Sequence, residues 1–400
     1  MRLHRLERAA HGIHLFVTKG GPKTYSASAF GCPAQEMRGH PVNPPGTMNI
    51  FDGHNDTLTH IHRPDRGRGR TFFIESEIGH IDLPRAIRGG MVGGIFAIFT
   101  PPPPDSPERD PQYGLTITTE GYTVLPRSEI DHAYAVVFTD SVLETLRQIE
   151  RESDGAVRWI RSYSEIEACL LDGKLALVLG FEGAEAIRED LSNLEDYYHQ
   201  GLRVLGPVWS RPNRFAEGTR FQFPGTPDTG DGLSRAGKEL IRECNRLGIL
   251  IDMAHLNEPG FWDVAQISDA PLVVSHADAH TLCSSARNLT DAQIDAVGRS
   301  GGLIGINFEP RNTRPDGRHE PDTPLTWIVK HIAYIADRIG IDHVALGSDF
   351  DGAGMPQDLS DAGKLPNLVT ALEAGGFDPL SIAKVTSTNW FRLFKETWKE

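Results

Sequence analysis

Eight short apolar runs recur after Met48: MNIFD, GIFAIFT, LALVLGF, RVLGPVW, GILIDMA, PLVVSH, GGLIGINF and HVALGSD. They are nearly continuous in apolar character rather than alternating, as expected of strands buried on both faces of a parallel sheet. Between them lie DSVLETLRQIERE, NLEDYYHQG, LSRAGKELIRECNRLG, TDAQIDAVGRSG and TPLTWIVKHIAYIADRIG, whose apolar residues return at three- and four-residue spacing and predict helices. Gly248 and Gly340 stand where two of these helices must stop before a strand begins. Eight strand–helix alternations predict a TIM-like (β/α)8 barrel, a fold that gathers its functional groups at the carboxyl ends of the strands. A doubly wound open sheet is the rival, but it spreads strand ends along a line and brings few of them together.

The carboxyl ends of these runs carry His54, Asp56, Glu182, His255 and His276, with Asp349 a sixth candidate at the same rim. Residues two apart on a strand point to one side, so His54 and Asp56 can hold one ion between them. Imidazoles and carboxylates suit zinc, with manganese and iron as rivals. Taken singly, each has an ordinary alternative: His and Asp beside Asn occur in capping turns, Glu182 fits a helix-start acid, and His276 fits a polar loop. Five such side chains at the rim of one barrel are instead expected to form a metal centre.

The remaining histidines lack that setting. His60, His62 and His80 end no apolar run and are expected at the surface or behind the site, His280 looks like helix-start polarity, and His331 and His343 are ordinary helix and loop residues. In GSDFDG, Asp349 is closer to the strand end and is the better proton-transfer candidate; Asp351 is expected to orient the turn. The terminal Glu of a calcium loop is absent there. Arg287 in SSARNLTD follows His276 closely and is suited to clamping a carboxylate, with a surface salt bridge as the plain alternative.

Residues 1–47 mix basic, Gly and Pro residues without sustained periodicity, so a loosely packed extension is expected before a catalytic barrel over 48–400. GIHLFV is too short for a secretory core or a membrane span, and the end, FKETWKE, is charged. Cys32, Cys169, Cys244 and Cys283 form no CxxC pair and predict no disulfide framework. A cytoplasmic protein without a membrane partner is therefore expected. Forty Lys plus Arg against 54 Asp plus Glu, a formal charge of −14, argues against nucleic acid and favours a small or cationic ligand. The Pro- and Asp-rich stretch Pro101–Glu129 is expected to be a long loop near the rim, as is 211–232.

Together, DGHND, GFEGAEAI, LIDMAH, VVSHA, the Arg-Asn of SSARN and GSDFDG, in that order from Met48 to the end, resemble the membrane dipeptidase, or renal dipeptidase, family of amidohydrolase-type barrels. The resemblance implies two zinc ions, with His54 and Asp56 on one, His255 and His276 on the other, and Glu182 bridging them. It further implies a bridging hydroxide as nucleophile, Asp349 as proton carrier, and Arg287 holding the carboxylate of a dipeptide, with a D-residue tolerated at the carboxyl-terminal position. It also suggests a homodimer. Many family members carry a histidine after the fourth strand; here RVLGPVW ends in Trp209, an indole that cannot carry a titrating charge. Trp209 and Asn213 are expected to contact substrate, with Ser210, Arg211 and Arg214 further candidates to compensate. The rival functions are an N-acyl amino acid deacylase or amidase on the same binuclear site, and a non-catalytic binding barrel.

Overall fold

A computed structural model describes residues 48–110 and 112–399; the extension over 1–47 lies outside the described residues. Eight parallel strands form the framework: β1 (Ile50–Asn55), β2 (Met91–Phe99), β3 (Leu175–Glu182), β4 (Leu202–Gly206), β5 (Leu250–Ile251), β6 (Val273–Val274), β7 (Leu303–Ile306) and β8 (Val344–Leu346). Each coincides with one of the eight apolar runs. Strands β1 to β5 pair in order as one curled arc and β6 to β8 as a second. Single parallel bridges, Asp252 to Val273 and Asn55 to Phe350, join the arcs and close the ring.

One buried side chain from every strand meets in the interior: Phe51, Ile95, Val178, Val204, Leu250, Val273, Leu303 and Ala345. This is the layered core of a closed barrel. Below it, the helix Asn389–Thr397 plugs the amino-terminal mouth with Trp390 and Phe394, and Trp398 follows. Phe51 meets Phe394 edge-on at 5.3 Å, and Phe394 stacks on Trp398 at 4.4 Å. Trp390 Nε1 donates to the Leu346 carbonyl at 3.0 Å. Gly53 is required for this seat, because a Cβ there would lie 2.2 Å from the Trp390 ring.

The outer helices begin where side-chain caps are available. Asp131 caps His132–Glu152, Ser234 caps Arg235–Leu247, Asn257 caps Glu258–Ile267, and Thr290 with Gln293 forms a capping box for Asp291–Arg299. Gly248 and Gly340 follow their helices with φ of 77° and 96°, a left-handed backbone that favours glycine.

Two features depart from the sequence expectation. Val157–Ile160 is a further parallel strand that pairs with the first half of β3, at residues 175–178. The stretch 101–129 is more than a loop: Leu115–Ile117 and Tyr122–Val124 form an antiparallel ribbon with Gln222–Phe223. That ribbon stands over the carboxyl-terminal mouth. Among the described residues, no helix is long and apolar enough to cross a membrane.

Candidate metal centre

His54 lies on β1, and Asp56 follows it as the N-cap residue of the helix Thr57–His62. Glu182 ends β3. His255, beyond β5, and Asp349, beyond β8, both adopt left-handed backbone, with φ of 66° and 61°. For a residue with a Cβ this conformation costs about 1–2 kcal/mol. It is held here by Thr219 N donating to the His255 carbonyl at 2.7 Å, and by Asp349 N donating to the His54 carbonyl at 3.0 Å. Such strain, held in place by surrounding bonds, is characteristic of functional sites.

The side chains converge on one buried point. Glu182 Oε1 lies 2.9 Å from His255 Nε2, 3.6 Å from His54 Nε2 and 3.6 Å from His276 Nε2. His255 and His276 bring their Nε2 atoms to 3.0 Å. The ligand atoms of His54, Asp56 and Asp349 form a second group, all within 4.8 Å of one another. His54 Nε2 and Asp56 Oδ1 are buried and have no hydrogen-bond partner.

Burial dominates the charge state of this cluster. It pushes His54 down to about 3 and holds His255 and His276 well below the usual imidazole value, with Arg287 adding to the effect. It raises Asp56 to about 7, and Glu182 and Asp349 well above the ordinary carboxyl range, with neighbouring carboxylates contributing. Neutral imidazoles with free Nε2 lone pairs, interleaved with carboxylates that need a counter-charge, are the donor set a divalent cation takes. The unpartnered atoms of His54 and Asp56 fit the same group.

The imidazoles are oriented from behind. Ser275 Oγ donates to Asp252 Oδ2 at 2.5 Å, so its lone pair faces His276 Nδ1 at 2.8 Å. That arrangement puts the ring proton on Nδ1 and leaves Nε2 free to bind metal. Ser210 Oγ lies 2.7 Å from His255 Nδ1. Ser275→Ala is expected to weaken metal binding about 10–100-fold. Competition against a chromogenic chelator measures this, and unchanged affinity would show that the tautomer is fixed by other means.

Above the cluster opens a cleft of about 510 Å³, lined by Asp56, Glu182, His255, Arg287 and Asp349 at its floor. Arg287 is buried, not a surface ion pair, and its Nη2 lies 3.4 Å from the His276 carbonyl. Asn307 Nδ2 donates to Asp349 Oδ2 at 3.1 Å. Trp209 forms one wall, 4.8 Å from Phe99, 5.3 Å from Phe221 and 5.7 Å from His255 between ring centroids. Behind it Arg211 lies over the Phe99 and Trp209 rings and pairs with Glu185 at 2.9 Å.

Asn213 departs from its expected role. Its Nδ2 donates to the Pro207 carbonyl at 2.9 Å and its Oδ1 accepts from Phe215 N and Ala216 N, at 2.8 and 3.1 Å. The amide folds its own loop and does not line the cleft. Asp351 pairs with Arg70 at 2.8 Å and accepts from Thr57 Oγ1 and His80 N, tying three segments together as a structural clamp. Asp351 and His60 both line the cleft.

Comparison with known proteins places these features in context. Residues 46–399 match the family model described as membrane dipeptidase, peptidase family M19. An uncharacterized protein in the pqqA 5' region of Klebsiella pneumoniae is 45% identical over 258 residues, covering 64% of this chain and 95% of that protein. The dipeptidase tcpJ of Claviceps purpurea is 28% identical, covering 89% of this chain and 79% of its own length. A metallo peptidase from Rhodobacter sphaeroides, solved with a phosphinate mimic of the dipeptide L-Ala-D-Ala, superposes with a TM-score of 0.83 at 40% identity. The match covers 88% of this chain and all of that one.

Proposed function

The chain belongs to the membrane dipeptidase family of metallopeptidases and is a metal-dependent dipeptidase, and we propose that it works through two zinc ions held by His54, Asp56, Glu182, His255 and His276. The observation that carries this reading is the convergence of three Nε2 atoms on Glu182 Oε1, beside the unpartnered buried atoms of His54 and Asp56. Glu182 would be shared between the ions, with His54 and Asp56 on one side and His255 and His276 on the other. Bound there, divalent cations lower the pKa of water and polarise the scissile carbonyl.

The chain's own residues supply the rest. Asp349, held by Asn307, takes the proton of the attacking water and delivers it to the leaving amine. Arg287, buried at the cleft floor, holds the carboxylate of the second residue and so limits substrates to short peptides. The ligand of the Rhodobacter structure mimics L-Ala-D-Ala, which supports tolerance of a D-residue at the carboxyl-terminal position here. The test combines metal analysis with a library of dipeptides and their N-acetylated counterparts. Two metals per chain and preference for free amino groups are expected; preference for acetylated substrates would overturn the reading in favour of an N-acyl amino acid deacylase.

Trp209 brings an apolar face beside His255, with ring centroids 5.7 Å apart. It acts as a wall that packs substrate side chains against Phe99 and Phe221. Trp209→Ala is expected to raise KM for dipeptides with a large apolar residue about tenfold, with a smaller effect on kcat. Steady-state kinetics on matched apolar and small dipeptides checks this; an equal loss for both would remove the packing role.

A further inference from the structure

The cleft is richer in cations than the chain as a whole. The sequence carries −14, whereas seven arginines and seven carboxylates line this one cleft. Three are matched: Arg63 and Arg109 share Asp65 at 2.7 and 3.1 Å, and Arg211 pairs with Glu185. Arg287 stands at the floor among the buried carboxylates and raises no new demand.

Three are not matched. Among the described residues, Arg66, Arg127 and Arg311 have no carboxylate within ion-pairing distance. Arg127 reaches only the Glu108 carbonyl, at 3.2 Å, and lies over Tyr113. Arg311 lies over the Tyr122 ring at 5.4 Å. Arg66 is exposed on the short helix Pro64–Gly67 and lines the cleft together with Asp56 and His60.

The carboxylates that line the upper cleft are meanwhile engaged elsewhere. Glu108 accepts from Ser128 Oγ at 2.6 Å and from Ser128 N, and Asp351 is neutralised by Arg70. Glu309 accepts from Asn312 Nδ2 at 3.2 Å, and Arg311 and then Arg287 act on it only through space, beyond ion-pairing distance. The carboxylates at the floor belong to the proposed metal centre. Planar guanidinium forks with no carboxylate within ion-pairing distance, at the rim of a cleft, attract and orient carboxylates.

We propose that the cleft selects dipeptides bearing a side-chain carboxylate, an aspartyl or glutamyl residue, which Arg66, Arg127 and Arg311 bind above the metal centre. This rests on the dipeptidase reading and names its substrate class. The free α-carboxylate goes to Arg287, so the rim reads a second, distinct negative charge. A cationic ligand, which the net charge alone favours, is disfavoured at this mouth.

The test uses the metal-loaded full chain and dipeptides paired as isosteres, Asp against Asn and Glu against Gln, in either position. The acidic member is expected to have a kcat/KM about tenfold higher at low ionic strength, with the ratio shrinking as salt is added. R66Q, R127Q and R311Q combined should bring the ratio toward one, and R311K should retain part of it; all three sites are at least partly exposed, and thermal melts check folding. Equal rates for acid and amide in the wild type, or a ratio unmoved in the triple variant, would overturn the proposal. Thermal shift by the same dipeptides is read in parallel. A shift that favours the acid without turnover supports the rim's selectivity and counts against the dipeptidase reading, whereas turnover without discrimination does the reverse.

Discussion

Glu182→Gln is expected to reduce kcat/KM by about a thousandfold or more and to lower the bound metal to one ion or none. Glu182 Oε1 is the atom on which His54, His255 and His276 all converge. An amide preserves the shape of the carboxylate but removes its charge and offers an N–H donor on one arm. The imidazoles of His255 and His276, 3.0 Å apart, would then face each other without an anion between them. Elemental analysis after exhaustive desalting, set beside steady-state kinetics, decides the matter. Two ions per chain with near-native turnover would remove Glu182 from the proposed bridging position.

Asp349→Asn should produce a different phenotype. Asp349 shares a group with His54 and Asp56 but is not among the atoms around Glu182 Oε1. Its partner Asn307 can still donate to an asparagine oxygen, so the local fold has a route to survive. The variant is expected to keep both ions while kcat falls by about a hundredfold or more, with KM little changed. Retained turnover within about threefold would mean that another group moves the proton. The two variants together separate holding the metal from moving the proton.

The barrel was legible because its strands are nearly continuous in apolar residues and two of its longer helices, Arg235–Leu247 and Thr326–Ile339, end at glycines. Once those runs are arranged in a ring, their ends coincide, and His54, Asp56, Glu182, His255 and His276 are brought together without any one of them being distinctive. What escaped had specific causes. Val157–Ile160 is interrupted by Arg158 and is too short to show a period. The ribbon from Leu115 to Val124 depends on Gln222–Phe223, about a hundred positions away, a pairing that no local pattern announces. Asn213 looked available for substrate because an Asx-type loop bond leaves no trace in composition. The left-handed backbone at His255 and Asp349 comes from tertiary bonds and not from residue preference.

Asp252 and Asp52 did leave a signal. Each is an acid inside or beside an otherwise apolar strand run, and a buried carboxylate must find donors. Both find a serine just beyond the neighbouring strand: Asp252 accepts from Ser275 Oγ, and Asp52 accepts from Ser348 N and Oγ, each of the latter at 2.8 Å. An acid in LIDMA or FDG therefore marked a support for the site, although not which histidine it supports.

The ring is sewn from two arcs, and both stitches lie directly beneath the site. At one, the end of β1 with His54 meets the end of β8 with Asp349; at the other, the end of β5 with His255 meets the end of β6 with His276. Each stitch is a single bridge, and each is straddled by proposed metal ligands. Cations bound there would act as rivets across both joints of the hoop, tying occupancy by metal to closure of the barrel.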